Sequence, residues 1–132
     1  MSAIQISIRK AGAARAVSSR ENPVASGDQI TITAARDAAS VLCLGAETAK
    51  LLSAPSNVEL AGGASVSYTA GSTADQEYVI LLQAHGWPVP PNIPAGKTGS
   101  PAKLVFRDAS GKDFPGPDDP PVNSGDGSGT GS

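Results

Sequence analysis

Two side chains in this sequence have chemistry that enzymes and metal sites use, the thiol of Cys43 and the imidazole of His85. A trigonal copper site needs two histidines and a cysteine, whereas this chain has one His and one Cys. Cys43 stands in the apolar run from Val41 to Leu44, and apolar surroundings raise a thiol pKa and make the thiol unreactive. The sequence therefore predicts no metal site, no cofactor and no nucleophilic catalyst, and we expect that the protein is not an enzyme.

The segment Gly96-Lys97-Thr98 resembles the end of a phosphate-binding P-loop, in which backbone amides and a lysine bind phosphates. Pro91 stands where the first glycine of that motif belongs, and Gly99-Ser100-Pro101 prevents the helix that must follow. The carboxylates that could pair for acid–base chemistry are isolated at predicted turns or on polar strand faces, where solvation accounts for them: Asp37, Glu47, Glu59, Asp75 and Glu77. The sequence therefore predicts neither phosphoryl transfer nor carboxylate catalysis.

The proline-rich segment from His85 to Pro94 has the most specialised composition in the chain. Its four prolines stiffen the backbone toward polyproline II and leave Trp87 and Ile93 as apolar groups on a long connection. One interpretation is a strapped crossover loop whose Trp87 covers the end of the domain. The other is a recognition loop, because rigid aromatic anchors bind with little loss of entropy. The candidate binding residues are His85, Trp87, Pro88, Pro90, Pro91 and Ile93.

Short strands must hold the proline-rich segment in position. Apolar residues alternate with polar ones over residues 4–8 and 30–33, which predicts half-buried strands. The run 77–84, EYVILLQA, has the length and residue types of a central strand that is covered on both faces. Residues 103–108, with Leu104 and Phe106 on one face, predict a closing strand.

The remaining segments predict less regular structure. Residues 11–19 are small and featureless, which indicates a loop or an irregular edge. Residues 58–60 and 66–68 predict two strands joined by a turn at Gly62-Gly63. Residues 34–54 contain helix formers as well as a buried apolar run, so helix and strand both remain open, and we favour two short strands around Gly45.

Turn signals every 8–12 residues are typical of an antiparallel β-sandwich, and an immunoglobulin-like sandwich over residues 1–108 is the predicted fold. Residues 109–132 are almost entirely proline, glycine, serine and aspartate. Such a segment cannot bury enough apolar surface to offset its ordering entropy, so we expect a disordered tail.

The overall charge argues against two classes of partner. The net charge is −2 and the isoelectric point is about 5.2, which gives no broad field that would attract nucleic acid or an anionic membrane. The sequence also shows no signal-peptide pattern and no apolar run of transmembrane length. We therefore expect a protein in the cytosol or one that is exported without a cleaved signal.

These observations favour a non-enzymatic structural or assembly module that acts through protein–protein contacts, including contacts with copies of itself. Strand edges and oppositely charged termini are the predicted surfaces. Basic residues precede the first acidic one near the N-terminus, and aspartates dominate the C-terminal segment: Arg9, Lys10, Arg15 and Arg20 against Asp108, Asp113, Asp118, Asp119 and Asp126. The alternative is a ligand-binding or adhesion module that uses the loop around Trp87.

Overall fold

The computed structural model describes residues 2–11, 14–90, 93 and 96–109. Within them the structure consists mainly of β-strands with one short helix, so the predicted all-β class is confirmed. The elements in chain order are β1 (Ala3–Ala11), β2 (Ala14–Val17), β3 (Glu21–Pro23), β4 (Gln29–Ala34), β5 (Ser40–Leu44), α1 (Ala46–Leu52), β6 (Asn57–Leu60), β7 (Ser65–Thr69), β8 (Glu77–Ala84) and β9 (Lys103–Asp108).

The strands form two sheets that share one core. The four-stranded sheet has the order β2-β1-β4-β7, and the five-stranded sheet has the order β3-β9-β8-β5-β6. Alternate residues of the central strands point inward, so each sheet contributes a row of aliphatic side chains to the core. The fully buried residues of this core include Ile6, Ile8, Ile30, Ile32, Leu42, Ile80, Leu82, Leu104 and Phe106.

The strand predicted over 77–84 lies in the middle of the five-stranded sheet, as β8. Every residue from Glu77 to Gln83 is buried, which confirms that both faces of this strand are covered. The closing strand is also confirmed, because β9 buries Leu104 and Phe106 between β3 and β8.

The prediction of purely antiparallel sheets is wrong. β1 pairs with β4 in parallel, and β8 pairs with β9 in parallel. Parallel neighbours need a connection that returns along the length of the strand, whereas a tight turn suffices for antiparallel ones. The proline-rich segment supplies that return between β8 and β9, and turn signals alone could not reveal its direction.

Residues 34–54 were predicted as two short strands around Gly45, and only the first half of that prediction holds. The first half is β5, but the second half is helix α1. Gly45 precedes the helix, and Ser53 ends it with left-handed backbone dihedrals. The helix buries three residues that lie on one helical face, which explains why this segment forms a helix and not a strand: Thr48, Leu51 and Leu52.

Three further predictions concern segments between these elements. Residues 11–19 contain the short edge strand β2, because Ala16 and Val17 pair with β1 and are buried. The two strands on either side of the Gly62-Gly63 turn exist, as β6 and β7, but belong to different sheets. The tail predicted over 109–132 lies, apart from Ala109, outside the described residues.

Candidate functional site

We refer to the proline-rich connection between β8 and β9 as the strap. The structure describes its residues 85–90, 93 and 96–102, and Ile93 lies on the outer face of the five-stranded sheet. Ile93 packs there against a second apolar cluster formed by Val41, Cys43, Val79 and Leu81. Further along, the strap pairs with the chain at the start of β8. Gln76 and Thr98 form an antiparallel bridge, and the Glu77 amide donates a hydrogen bond to the Lys97 carbonyl at 2.9 Å. A Cβ at Gly96 would overlap the Glu77 carbonyl oxygen, so only glycine permits this approach.

The strap begins with a tight turn that ends at Trp87, and this side chain remains half exposed. Its amide donates to the Ala84 carbonyl at 3.2 Å, and Gly86 has a φ of +89°, as the third residue of a type II turn requires. The indole keeps 50% of its surface exposed, and Val89 keeps 47%. These are the large apolar side chains that the described part of the chain leaves exposed.

A cleft of about 260 Å³ lies beside Trp87. Its polar groups already bind protein atoms: Gln83 Nε2 donates to the Trp87 carbonyl at 3.2 Å. The Arg15 guanidinium donates to Ser40 Oγ at 3.1 Å and to the Ala39 carbonyl at 2.8 Å. The cleft therefore offers a ligand mainly apolar surface, because the donors of Arg15 and Gln83 already have protein acceptors. Its lining residues are Arg15, Leu82, Gln83, Ala84, Trp87, Asp108 and Ala109.

The other predicted binding residues do not gather around the indole as one site. His85 is exposed, with Nε2 3.5 Å from Glu59 Oε1. Ile93 points into the cluster under the strap. Pro88 is exposed and Pro90 is partly buried, while Pro91 lies outside the described residues.

Cys43 and His85 are held apart by the sheet. Cys43 is fully buried and pairs with Leu81, and His85 lies four residues beyond Leu81, about 13 Å along the strand direction. Burial raises the pKa of the Cys43 thiol, which disfavours the reactive thiolate. The described residues contain no group of three or more metal-ligating side chains.

Glu77 has an environment that its sequence position did not indicate. It was predicted to be solvated, but its side chain is buried. Arg107 lies 3.1 Å from its Oε1 and Lys103 lies 3.4 Å from its Oε2. A hydrogen bond to Glu21, with a further contribution from Glu77, raises the pKa of Lys103. These ion pairs compensate a buried charge and attach β9 to β8.

Four strands form the edges of the two sheets, and three of them carry features that discourage pairing with another chain. β3 has three residues and contains Glu21 and Pro23. β2 and β6 have four residues each and contain Arg15 and Glu59 respectively. Short length, charge and proline are the usual protections of an exposed edge. β7, with the sequence SVSYT, has neither charge nor proline and pairs with β4 in an unbroken register.

The backbone of β7 directs hydrogen-bonding groups away from the molecule. The Ala70 amide donates to the Asp28 carbonyl at 2.8 Å, and the Ala34 amide donates to the Ala64 carbonyl at 2.9 Å. Since hydrogen-bonded pairs alternate along an antiparallel ladder, the even-numbered residues of β7 face β4. The N–H and C=O groups of Ser65, Ser67 and Thr69 therefore point outward, and no described strand pairs with them.

The side chains of β7 divide between two faces. Ser65 and Ser67 lie on the outer face, where their Oγ atoms are 2.7 Å and 3.0 Å from the hydroxyls of Thr33 and Thr31. Val66 and Tyr68 pack against the core but are only partly buried. The sequence predicts strand edges as a contact surface but does not single out β7. The signal that could have done so is the run of residues 61–74, which contains no charged side chain.

The basic residues near the N-terminus do not form a separate arm. Arg9 and Lys10 lie on β1, and Arg15 lies on β2 with its guanidinium bound to β5 and the residue before it. Asp108 ends β9, and the aspartates from Asp113 onward lie outside the described residues. The predicted contact between oppositely charged termini therefore stays a prediction.

No helix in the described part of the chain is long and apolar enough to span a membrane. Comparison of the chain with protein-family models, curated proteins and solved structures found no match in any of the three. The open edge of β7 is the most specific feature among the described residues.

Proposed function

We propose that this protein is a non-enzymatic assembly module that adds a strand of a partner protein to the edge of β7. The observation that carries the proposal is the outward row of backbone N–H and C=O groups at Ser65, Ser67 and Thr69. Backbone hydrogen bonds of this kind provide the affinity in strand addition, and side chains on alternate positions provide the specificity.

The character of the edge favours an uncharged partner strand. Residues 61–74 contain no charged side chain, and the outer face beside β7 presents serine and threonine hydroxyls. Cross-strand hydroxyl pairs and β-branched–aromatic pairs stabilise sheets. Binding should therefore depend weakly on salt, whereas binding between charged termini would weaken as salt screens it.

A synthetic peptide with the sequence of residues 63–71, GASVSYTAG, tests the proposal. When the peptide pairs with the edge, the amides of Ser65, Ser67 and Thr69 should exchange with solvent at least tenfold more slowly. Hydrogen exchange followed by NMR measures this change residue by residue, with the peptide at millimolar concentration and the protein dilute enough to be monomeric.

The matched control is the same peptide with proline at the position of Ser67, which removes a central N–H donor and should give no protection. Equal exchange rates with and without the unmodified peptide would contradict the proposal. Protection that disappears between low and high salt would instead favour charged contacts.

A ligand-binding or adhesion role of the Trp87 loop is the second candidate, and the half-exposed indole supports it. Titration with sugars, peptides and metal ions, followed by tryptophan fluorescence, tests this role. A Trp87→Ala variant that retains every partner of the wild-type protein would reduce the loop to a structural connection.

The immunoglobulin-like arrangement remains a prediction. Its support is the division of the strands into two sheets around one core, while the parallel pairs β1–β4 and β8–β9 count against a purely antiparallel version.

A further inference from the structure

We propose that the partner strand is β7 of a second copy, paired antiparallel across a two-fold axis with Ser67 opposite Ser67 of the partner subunit. This inference rests on the proposed function and specifies its partner. It would join two four-stranded sheets into one continuous sheet of eight strands.

The register follows from the direction of the backbone groups. In an antiparallel ladder, two residues exchange both hydrogen bonds only when the groups of each point toward the other strand. On β7 these residues are Ser65, Ser67 and Thr69. An axis at Ser67 engages all three, because Ser65 then lies opposite Thr69 of the partner subunit. An axis at either end residue would leave at least one outward residue without a strand residue opposite it.

The same register matches side chains on both faces of the sheet. On the outer face it places serine opposite serine at the axis and serine opposite threonine on each side. On the inner face it places Val66 opposite Tyr68 of the partner subunit, and this pair occurs twice. Val66 and Tyr68 are partly exposed in the single chain, so pairing buries apolar surface that the fold alone leaves open. Pairs of a β-branched and an aromatic side chain are among the cross-strand pairs that stabilise an antiparallel sheet.

Charge does not oppose this contact. A two-fold axis places identical segments side by side, so any charged residue near the axis would meet a copy of itself. Residues 61–74 contain none, although the chain as a whole has a net charge of −2. Lysine or glutamate on β7 would have introduced that repulsion, and such residues are the usual protection of an edge.

The assembly should stop at two subunits. A two-fold contact uses the same surface on both partners and closes on itself. The three other edges of the described sheets are short and carry charge or proline, so they do not continue the sheet.

Cysteine cross-linking measures the register directly. Directly opposed residues of a hydrogen-bonded pair have Cα atoms about 5.5 Å apart, within the range for a disulfide. Under mild oxidation, Ser67→Cys should form a disulfide-linked dimer, whereas Ser65→Cys should not, because the two copies of residue 65 lie about 13 Å apart. An equimolar mixture of Ser65→Cys and Thr69→Cys should form the mixed dimer. The wild-type chain is the control, since its Cys43 is fully buried.

Sedimentation equilibrium tests the same contact without a disulfide. The wild-type chain should be a dimer at millimolar concentration, and Ser67→Lys should be at least tenfold weaker in self-association. Ser7→Lys is the matched control, because Ser7 is exposed on the same sheet but on the interior strand β1. This variant should dimerise like the wild type.

Each outcome decides one of the two proposals. A wild-type chain that stays monomeric at millimolar concentration, while the peptide still protects the edge amides, overturns self-pairing and leaves strand addition standing. A dimer in which Ser65→Cys cross-links to itself and Ser67→Cys does not overturns the axis at Ser67. A peptide without effect overturns strand addition itself.

Discussion

At the scale of single residues, buried polar groups stabilise the fold through contacts that their positions in the sequence do not indicate. Asp28 is buried at the turn before β4. Its carboxylate accepts a hydrogen bond from the Ala25 amide at 2.9 Å and another from the Ser2 amide at 2.8 Å. These two bonds, that from Ala25 having the larger effect, lower the pKa of Asp28 below the ordinary aspartate value. The carboxylate thereby attaches Ser2, the residue that precedes β1.

Asp28 should make the stability of the protein depend on acid pH. Since the pKa is lower in the folded state, the ionised group stabilises the fold above the unfolded pKa of about 3.9. That contribution disappears as the pH falls through the folded pKa. Asp28→Asn should therefore lower the free energy of unfolding at pH 7, and its difference from the wild type should shrink at about pH 3.

Urea unfolding at the two pH values measures this difference. Asp37→Asn, at an exposed turn, is the matched control and should change the free energy of unfolding little at either pH. A deficit of Asp28→Asn that is the same at both pH values would show that the carboxylate charge is not what matters.

At the scale of elements, the fold depends on how helix α1 ends. Ser53 closes α1 with φ of 52° and ψ of 45°, a left-handed conformation that costs a residue with a Cβ about 1–2 kcal/mol. The Ala54 amide then donates to the Ala49 carbonyl at 3.0 Å, so the turn satisfies a helix-end acceptor. Sequence alone left this segment undecided because its apolar residues suit a buried strand as well.

Ser53→Gly should stabilise the protein by about 0.5–1 kcal/mol. Glycine adopts left-handed dihedrals without a steric cost, and part of that gain is offset by the greater entropy of the unfolded chain. Thermal and urea unfolding measure the change. Ser56→Gly is the control: Ser56 is exposed and has a negative φ, so this substitution should destabilise slightly. A Ser53→Gly variant no more stable than the wild type would mean that the left-handed turn is not strained.

At the scale of the whole molecule, the strap covers part of the outer face of the five-stranded sheet. Because β8 and β9 are parallel, the chain must cross the outer face of the sheet between them. Ile93 lies on the cluster that contains Cys43, and Gly96 contacts the backbone of Glu77. The four-stranded sheet has no such cover in the described residues, and its outer face is correspondingly polar.

Truncation of Ile93 tests the covering role of the strap. Ile93→Ala should increase the labelling rate of Cys43 by a thiol reagent in the native protein by about tenfold, which corresponds to ~1.4 kcal/mol in the opening equilibrium. Val89→Ala, on the same strap but 47% exposed, should label like the wild type. Identical rates for all three proteins would show that the sheet and not the strap protects the thiol.

The sequence by itself determined the elements whose side-chain pattern reflects their own burial. Alternation identified β1 and β4, and the continuous apolar run identified β8 as a strand covered on both faces. These properties are local, because side chains alternate along any strand whatever its partner. The proline-rich segment was also recognisable from composition, as a long connection, before its path was known.

Tertiary structure alone decided which strands are neighbours, in which direction they run, and which edge is left open. The parallel pairs, the helix over 46–52 and the buried charge of Glu77 all depend on contacts between residues far apart in the chain. The same holds for the candidate site: β7 is an open edge only because the chain places β4 on one side of it and no described strand on the other. Local pattern encodes burial, whereas strand order arises from the packing of the whole core.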